Sequence, residues 1–126
     1  MTRIAIVLLA LFSLSSTAWA QPAAEDADRH MIVARYYVSR GDHSGAINRL
    51  TRALTQSPAL EQVEEALARL TEVYLAVGIA REAQLAAGVL IRRNPNSPWA
   101  AQALRALTAA GLTPVEDDGS WLFQRL

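Results

Sequence analysis

The sequence predicts an all-α fold built from repeated helical hairpins. Apolar residues recur with the helical period, Gly and Pro interrupt that period at regular points, and one order of residues returns after a constant offset of 37 positions. The chain has 126 residues, of which 52% are apolar, and this length favours a single domain. It contains no cysteine, which excludes disulfides, cysteine-bound metals and a thiol nucleophile. Its net charge of zero argues against binding nucleic acid through bulk charge.

The first twenty residues have the order of a secretory signal peptide. Arg3 precedes an apolar stretch over residues 4–14, and Ala18 and Ala20 stand at the small-residue positions of a cleavage site before Gln21. We therefore expect residues 1–20 to be removed; the alternative is an uncleaved anchor ending at residue 20. A bacterial lipid anchor needs a cysteine directly after the cut, so we expect no lipid anchor at Gln21.

The remaining chain contains an internal repeat with four conserved spacings. Four residues of the first unit return in the second unit at an offset of 37, namely Tyr37, Gly41, Ala46 and Pro58 as Tyr74, Gly78, Ala83 and Pro95. We place the two repeats at about residues 27–60 and 64–97, followed by a capping helix at about 98–110. The repeat domain then covers residues 21–111, and an irregular tail covers residues 112–126.

The first hairpin is predicted from two apolar stripes and their end points. The first stripe ends at Gly41, a helix stop signal, and consists of Ile32, Val33, Tyr36 and Tyr37. The second ends before Pro58 and consists of Ala46, Ile47, Leu50, Ala53 and Leu54. Asp42 lies in the turn between them and is typical of a helix N-cap.

The second hairpin and a fifth helix follow the same rules. One stripe ends at Gly78 and consists of Val63, Leu67, Leu70, Tyr74 and Val77. The next ends at Asn94 before Pro95 and consists of Ala83, Ala86, Ala87, Leu90 and Ile91. Ser97 and Pro98 then predict an N-cap and first position for a helix that ends at Gly111.

The positions of small residues and the number of repeats predict how the helices pack. Ala46, Ala53 and Ala83 stand where the two helices of a hairpin approach each other, because a larger side chain there would separate them. Arrays of such hairpins usually need three or more units. With two hairpins and one further helix, we expect an open apolar patch formed by Ile32, Val33 and Tyr36. Either self-association or a partner protein would cover it.

Candidate catalytic and metal residues have simpler explanations. Asp42, His43 and Ser44 are consecutive and therefore cannot form a hydrolase triad. Glu64 and Glu65 are adjacent on a helix and point about 100° apart, so we expect a solvated face and no acid–base pair. We expect no enzyme activity, no cofactor and no metal.

The repeat resembles the tetratricopeptide family. Its characteristic positions are matched in the first unit by Ala34, Tyr37, Gly41, Ala46, Leu50, Ala53 and Pro58, and less completely in the second. The period is 37, whereas the family's is 34. The second unit also departs at two positions, with Ala87 at the large position and Leu90 at the small one.

A closer resemblance is to the last repeats of the BamD family, the lipoproteins of outer-membrane protein assembly. It covers residues 33–50, 63–78 and 81–90, together with the Asn94–Trp99 segment and parts of the tail. This resemblance implies a periplasmic, non-enzymatic scaffold that binds proteins. The family's N-terminal repeats and its lipid-bearing cysteine have no counterpart here. In the family, the N-terminal repeats are associated with substrate recognition and the C-terminal repeats with docking of the other subunits. The resemblance therefore supports a docking role more than a role in substrate recognition.

The resemblance implies one contact residue. The family's Asn-Arg pair, whose Arg contacts a POTRA domain of the barrel subunit, is matched by Asn48 and Arg49. A solvated arginine on an exposed helix face is the alternative. Two further function classes stay open, namely a repeat adaptor of a Tol–Pal type envelope system and a truncated paralogue without a present role.

Overall fold

Five α-helices form the part of the chain that the structure describes. A computed structural model describes residues 21–56 and 59–116, with side chains from residue 26. The helices are α1 (Gln21–Arg40), α2 (His43–Thr55), α3 (Leu60–Ala76), α4 (Ala80–Arg93) and α5 (Pro98–Ala109). Within these residues no strand occurs. The all-α hairpin fold predicted from the sequence is therefore confirmed, with the first helix of each hairpin longer than the second.

The helix ends follow from the residues predicted to terminate them. Gly41, Gly78 and Gly111 have φ angles of 71°, 80° and 73°, a left-handed conformation that favours glycine. The Asp42 side chain accepts a hydrogen bond from the backbone N–H of Gly45 at 2.9 Å and so caps α2. Ser97 caps α5 by accepting from the N–H of Trp99 at 3.1 Å. These turns direct each helix back along its neighbour.

The core lies between the helices of the hairpins and around α3. The predicted small residues Ala46, Ala53 and Ala83 are buried, as are Tyr74 and Leu50. α3 packs against α2, α4 and α5, and α1 contacts α2 far more than α3. α3 is therefore the central helix.

Two apolar stripes differ in detail from the sequence prediction. The α1 residues that enter the core are Ala27, Met31 and Ala34, while Tyr37 is half-buried. Ile32 and Tyr36 lie on the opposite side of the helix and are exposed. Val77 was predicted as part of the α3 stripe, but it is the C-cap of that helix and is exposed. The helical spacing of apolar residues predicted α1 correctly. The aliphatic and aromatic residues alone did not show which side of α1 is buried.

The first part of the tail packs on α4. The Val115 N–H donates to the Gln84 carbonyl at 3.2 Å, and the Gln84 side-chain amide donates to the Thr113 carbonyl at 3.0 Å. A Cβ at Gly88 would collide with the carbonyl oxygen of Val115, so glycine is required for this approach. Residues 112–116 have no regular secondary structure.

Some of the predictions lie outside the described residues. These are the signal peptide over residues 1–20 with Ala18 and Ala20, the helix stop at Pro58, and the tail from residue 117 onward. Among the helices that are described, none is long and apolar enough to cross a membrane.

Candidate partner-binding face

Arg49, the contact residue that the family resemblance implies, lies against the first helix. Its guanidinium lies 3.2 Å from Nδ1 of His30, which brings α2 and α1 together across 19 positions of sequence. Arg49 is half-buried, and Asn48 beside it on α2 is exposed. Arg49 therefore has a hydrogen-bonding neighbour within the chain and is only partly exposed.

The contact requires His30 to be neutral. An arginine has only donors, so Nδ1 of His30 must accept the hydrogen bond and the ring proton must sit on Nε2. The pKa of His30 is lowered, first by burial and then by the positive charges of Arg49 and Arg52, while Asp26 opposes the effect. This direction favours the neutral ring that the geometry needs.

The resulting face carries more cationic than anionic groups. Arg52 is exposed on α2 one turn from Arg49, and Asp26 on α1 is already 3.5 Å from Arg29. In the part of the chain that is described, no carboxylate lies within ion-pair distance of Arg49. Arg49 uses one donor on His30 and has further donors arranged in a planar fork. Such a group can bind a carboxylate from outside the chain through two hydrogen bonds.

Two of the three residues expected to form an apolar patch are exposed on the outer side of α1. Ile32 and Tyr36 expose 61% and 59% of their surface, and Val33 is half-buried. The rings of Tyr36 and Tyr37 lie 6.0 Å apart, and Tyr37 packs on the core. Tyr36 is thus supported from below by a neighbouring aromatic ring.

Glu65 connects α1 to α3, contrary to the prediction of a solvated face. It is buried and accepts two hydrogen bonds from Arg35 at 2.7 and 2.6 Å and one from Arg69 at 2.7 Å. The guanidinium of Arg69 also lies 5.7 Å from the Trp99 ring centroid on α5. The hydrogen bonds from Arg35 lower the pKa of Glu65, with a smaller contribution from Arg69, although burial opposes them. The carboxylate thus joins α1 to α3, and Arg69 extends the network to α5 through Trp99.

Glu64 makes a second connection in a different direction. It is buried and accepts from the Ser97 hydroxyl at 2.7 Å and from the Asn94 side-chain amide at 2.9 Å. These bonds lower its pKa, the one from Ser97 most strongly. Ser97 therefore caps α5 and binds α3 at once. The expected angle of about 100° between Glu64 and Glu65 holds, but each points at a neighbouring element and neither is solvated.

The sequence reasoning missed these partners because it read each helix alone. In a stacked array the first helix of a middle repeat has neighbours on both sides, so its polar residues need internal partners. The spacing of Glu65 and Arg69, four residues apart on one helix, was a signal that the sequence did contain. The contact of His30 with Arg49 left no comparable signal, because it depends on how the two helices of the hairpin are aligned.

The other residues singled out in the sequence lie in the core or at helix ends. Tyr37 is half-buried and Tyr74 is buried in the core, while Pro95 is exposed just after the C-cap Asn94. Asp42 is a helix cap, as predicted. Over the described residues no three His, Asp or Glu side chains are placed to hold a metal ion.

Comparison with known families decides where this fold belongs. The sequence model described as YfiO, an outer membrane lipoprotein, matches residues 25–89, more than half of the chain. The chain belongs to the YfiO/BamD family. The match runs from α1 into α4 and so includes both helices of the first hairpin, α3, and the face that carries Arg49.

Two curated relatives agree with this assignment. The outer membrane protein assembly factor BamD of Caulobacter vibrioides is 33% identical over 88 residues, 70% of this chain and 29% of the relative. The BamD of Rickettsia prowazekii is 33% identical over 79 residues, 63% of this chain and 32% of the relative. The chain thus spans less than a third of the length of either relative. No solved structure matches the chain.

Proposed function

We propose that the chain is a non-enzymatic protein-binding scaffold that acts in outer-membrane protein assembly. The observation that carries the proposal is the YfiO/BamD match over residues 25–89, which spans the first hairpin and most of the second. The curated relatives are named as outer membrane protein assembly factors. A fold made of helical hairpins supports binding to other proteins, since such arrays present extended surfaces.

The proposed contact surface is the face formed by His30, Asn48 and Arg49. Arg49 is restrained by His30 at 3.2 Å, so little side-chain freedom is lost when it meets a partner. Its remaining donors suit a carboxylate, and we propose an acidic side chain of a POTRA domain of the barrel subunit as the group it binds. The signal peptide over residues 1–20 would deliver the chain to the periplasm, where such domains lie.

An affinity pull-down of the full chain from cross-linked bacterial envelopes tests this function. We expect barrel-assembly subunits among the recovered proteins and a large loss of them with Arg49→Glu, which places two carboxylates against each other. Arg105→Glu on α5 is the matched control, because Arg105 is also a helical arginine, is exposed and lies outside the proposed surface. Unchanged recovery with Arg49→Glu contradicts the proposed contact.

The two alternative functions predict different outcomes in the same experiments. Recovery of Tol–Pal proteins without barrel-assembly subunits contradicts the assembly role and favours an adaptor of that other envelope system. A truncated paralogue without a role predicts no specific partner at all. It also predicts that thermal unfolding, followed by circular dichroism, lacks a cooperative transition in the isolated chain.

A further inference from the structure

The residues on the outer side of α1 are arranged so that this side could pack against the same side of a second copy. At about 100° per residue, Arg29, Ile32, Val33, Tyr36 and Arg40 share one side of the helix, and Asp26 borders it. We call these six residues the α1 stripe. Its centre is apolar, with Ile32 and Tyr36 exposed by 61% and 59%. An acidic group lies near its N-terminal end and a basic group at its C-terminal end.

A second copy of the α1 stripe, placed antiparallel to the first, brings complementary groups opposite each other. In an antiparallel pair whose two-fold axis passes between positions 32 and 33, Ile32 meets Val33 of the second copy. Arg29 then meets Tyr36. Asp26 lies opposite Ser39 in this register, and the neighbouring Arg40 is offset from it by one residue, about 1.5 Å along the helix axis, which is within side-chain reach. Apolar, cation–π and ionic contacts thus coincide in one register. Because the axis generates each pair twice, one helix supplies a complete isologous interface.

The exposure of these side chains leaves them available for such a pair. The side chains of Asp26 and Arg29 are 50% and 74% exposed, and Arg40 is exposed at the last position of α1. The ion pair of Asp26 with Arg29 within one helix is 3.5 Å long and solvent-accessible, so it contributes little and can be exchanged. The core-facing residues Ala27, Met31 and Ala34 lie on the other side of α1 and stay where they are.

We infer that the chain self-associates through the α1 stripe as an antiparallel two-fold dimer. Two helices in contact form a small interface, so the dimer is weak and its population depends on protein concentration. Asn48 and Arg49 lie on α2 and are not part of the α1 stripe. The dimer would therefore present two copies of the proposed partner-binding face, and two linked sites bind a multivalent assembly more tightly than one.

Sedimentation equilibrium of the full-length chain over a concentration series tests the dimer. We expect reversible dimerisation that Asp26→Arg and Arg40→Asp each weaken by about tenfold, since each change places like charges opposite each other. The double variant D26R/R40D exchanges the two charges and should restore the dissociation constant to within about threefold of the original value. The rescue distinguishes a direct contact across the axis from a general effect on folding.

Two further variants test the apolar centre and provide controls. Tyr36→Ala removes the exposed ring and is expected to weaken dimerisation by about tenfold or more, whereas Leu104→Ala, which shortens an exposed side chain on α5, should not change it. Arg105→Asp is the control for the charge changes. A chain that stays monomeric at millimolar concentration, a dimer unaffected by the three single stripe variants, or single losses that the double variant fails to rescue would each overturn the inference.

Discussion

The carboxylate of Glu65 on α3 accepts two hydrogen bonds from Arg35 on α1, at 2.7 and 2.6 Å, and this pair is a principal tie between the two helices. Direct packing between α1 and α3 is sparse, so the ion pair supplies a connection that apolar contacts do not. The position of α1 against α3 therefore depends in part on a polar contact between residues 30 positions apart.

Glu65→Gln is expected to destabilise the fold. The amide keeps the shape but loses the charge, and an NH2 donor replaces one of the two oxygens that accept from Arg35 and Arg69. Because the Arg35 side chain is 46% exposed, water replaces part of the loss, and we expect a cost of roughly 1–3 kcal/mol. Urea unfolding followed by circular dichroism measures it. Arg29→Met, at an exposed pair, should change the unfolding free energy by less than about 0.5 kcal/mol. An equal effect of both variants would contradict this account of Glu65.

Gly88→Val is expected to release residues 112–116 from α4. A Cβ at Gly88 collides with the Val115 carbonyl oxygen, so the tail must move away and its bond to Gln84 must break. Hydrogen–deuterium exchange should then show loss of protection at the Val115 amide. Thr51→Val is the control at the equivalent position of the first repeat, 37 residues earlier. Retained protection in Gly88→Val would show that the tail packs elsewhere.

Ala83→Leu tests the close approach of α3 and α4. Ala83 is fully buried, and the longer side chain must force the two helices apart or strain its neighbours. We expect a loss of about 1–3 kcal/mol in the free energy of unfolding. Ala101→Leu, at an exposed position of α5, should change it by less than about 0.5 kcal/mol. A tolerated leucine at position 83 would mean that the hairpin does not require a small residue there.

The unfolding free energy is expected to fall in two stages as the pH is lowered. The pKa of His30 in the folded chain is below its ordinary value of 6.5. As the pH falls below 6.5, His30 is therefore protonated more readily in the unfolded chain than in the folded chain, and the free energy of unfolding decreases. The pKa values of Glu64 and Glu65 are lowered from 4.5, which produces a second decline below that pH by the same reasoning.

Urea unfolding at a series of pH values between 8 and about 3.5 measures both stages. His30→Gln removes one titrating group and should flatten the upper stage while leaving the lower one. Glu64→Gln should reduce the lower stage and leave the upper one. A profile that is flat between pH 7 and 5 in the unaltered chain would contradict the environment described for His30.

Much of this fold could be predicted from the sequence because its signals are local. Gly41 and Gly78 mark turns that require a left-handed residue, and the pair Ser97 and Pro98 marks the start of α5. The burial of Ala46 and Ala83 follows from the repeat, which fixes where hairpin helices meet. Each of these predictions needed only a few neighbouring residues or the offset between the two units.

The contacts that join the helices could not be predicted in this way. The prediction for Glu64 and Glu65 was wrong because the apolar period identifies one packed side of a helix, whereas α3 is covered on several sides. The placement of His30 beside Arg49 depends on the alignment of α1 with α2, which the local pattern leaves undefined. The family resemblance suggested Asn48 and Arg49 as partner-binding residues, and the uncovered end of the repeats suggested Ile32, Val33 and Tyr36. The contact of His30 with Arg49 was found only in the structure.

The most direct test of the central claim is binding of the purified chain to purified POTRA domains of a barrel-assembly subunit. Titration followed by biolayer interferometry should give saturable binding that Arg49→Glu weakens by about tenfold or more and Arg105→Glu leaves unchanged. Circular dichroism of both variants confirms that each remains folded. Saturable binding that is lost with Arg49→Glu alone is the predicted result. Absence of binding, or binding equally insensitive to both substitutions, would contradict the proposed role of this face.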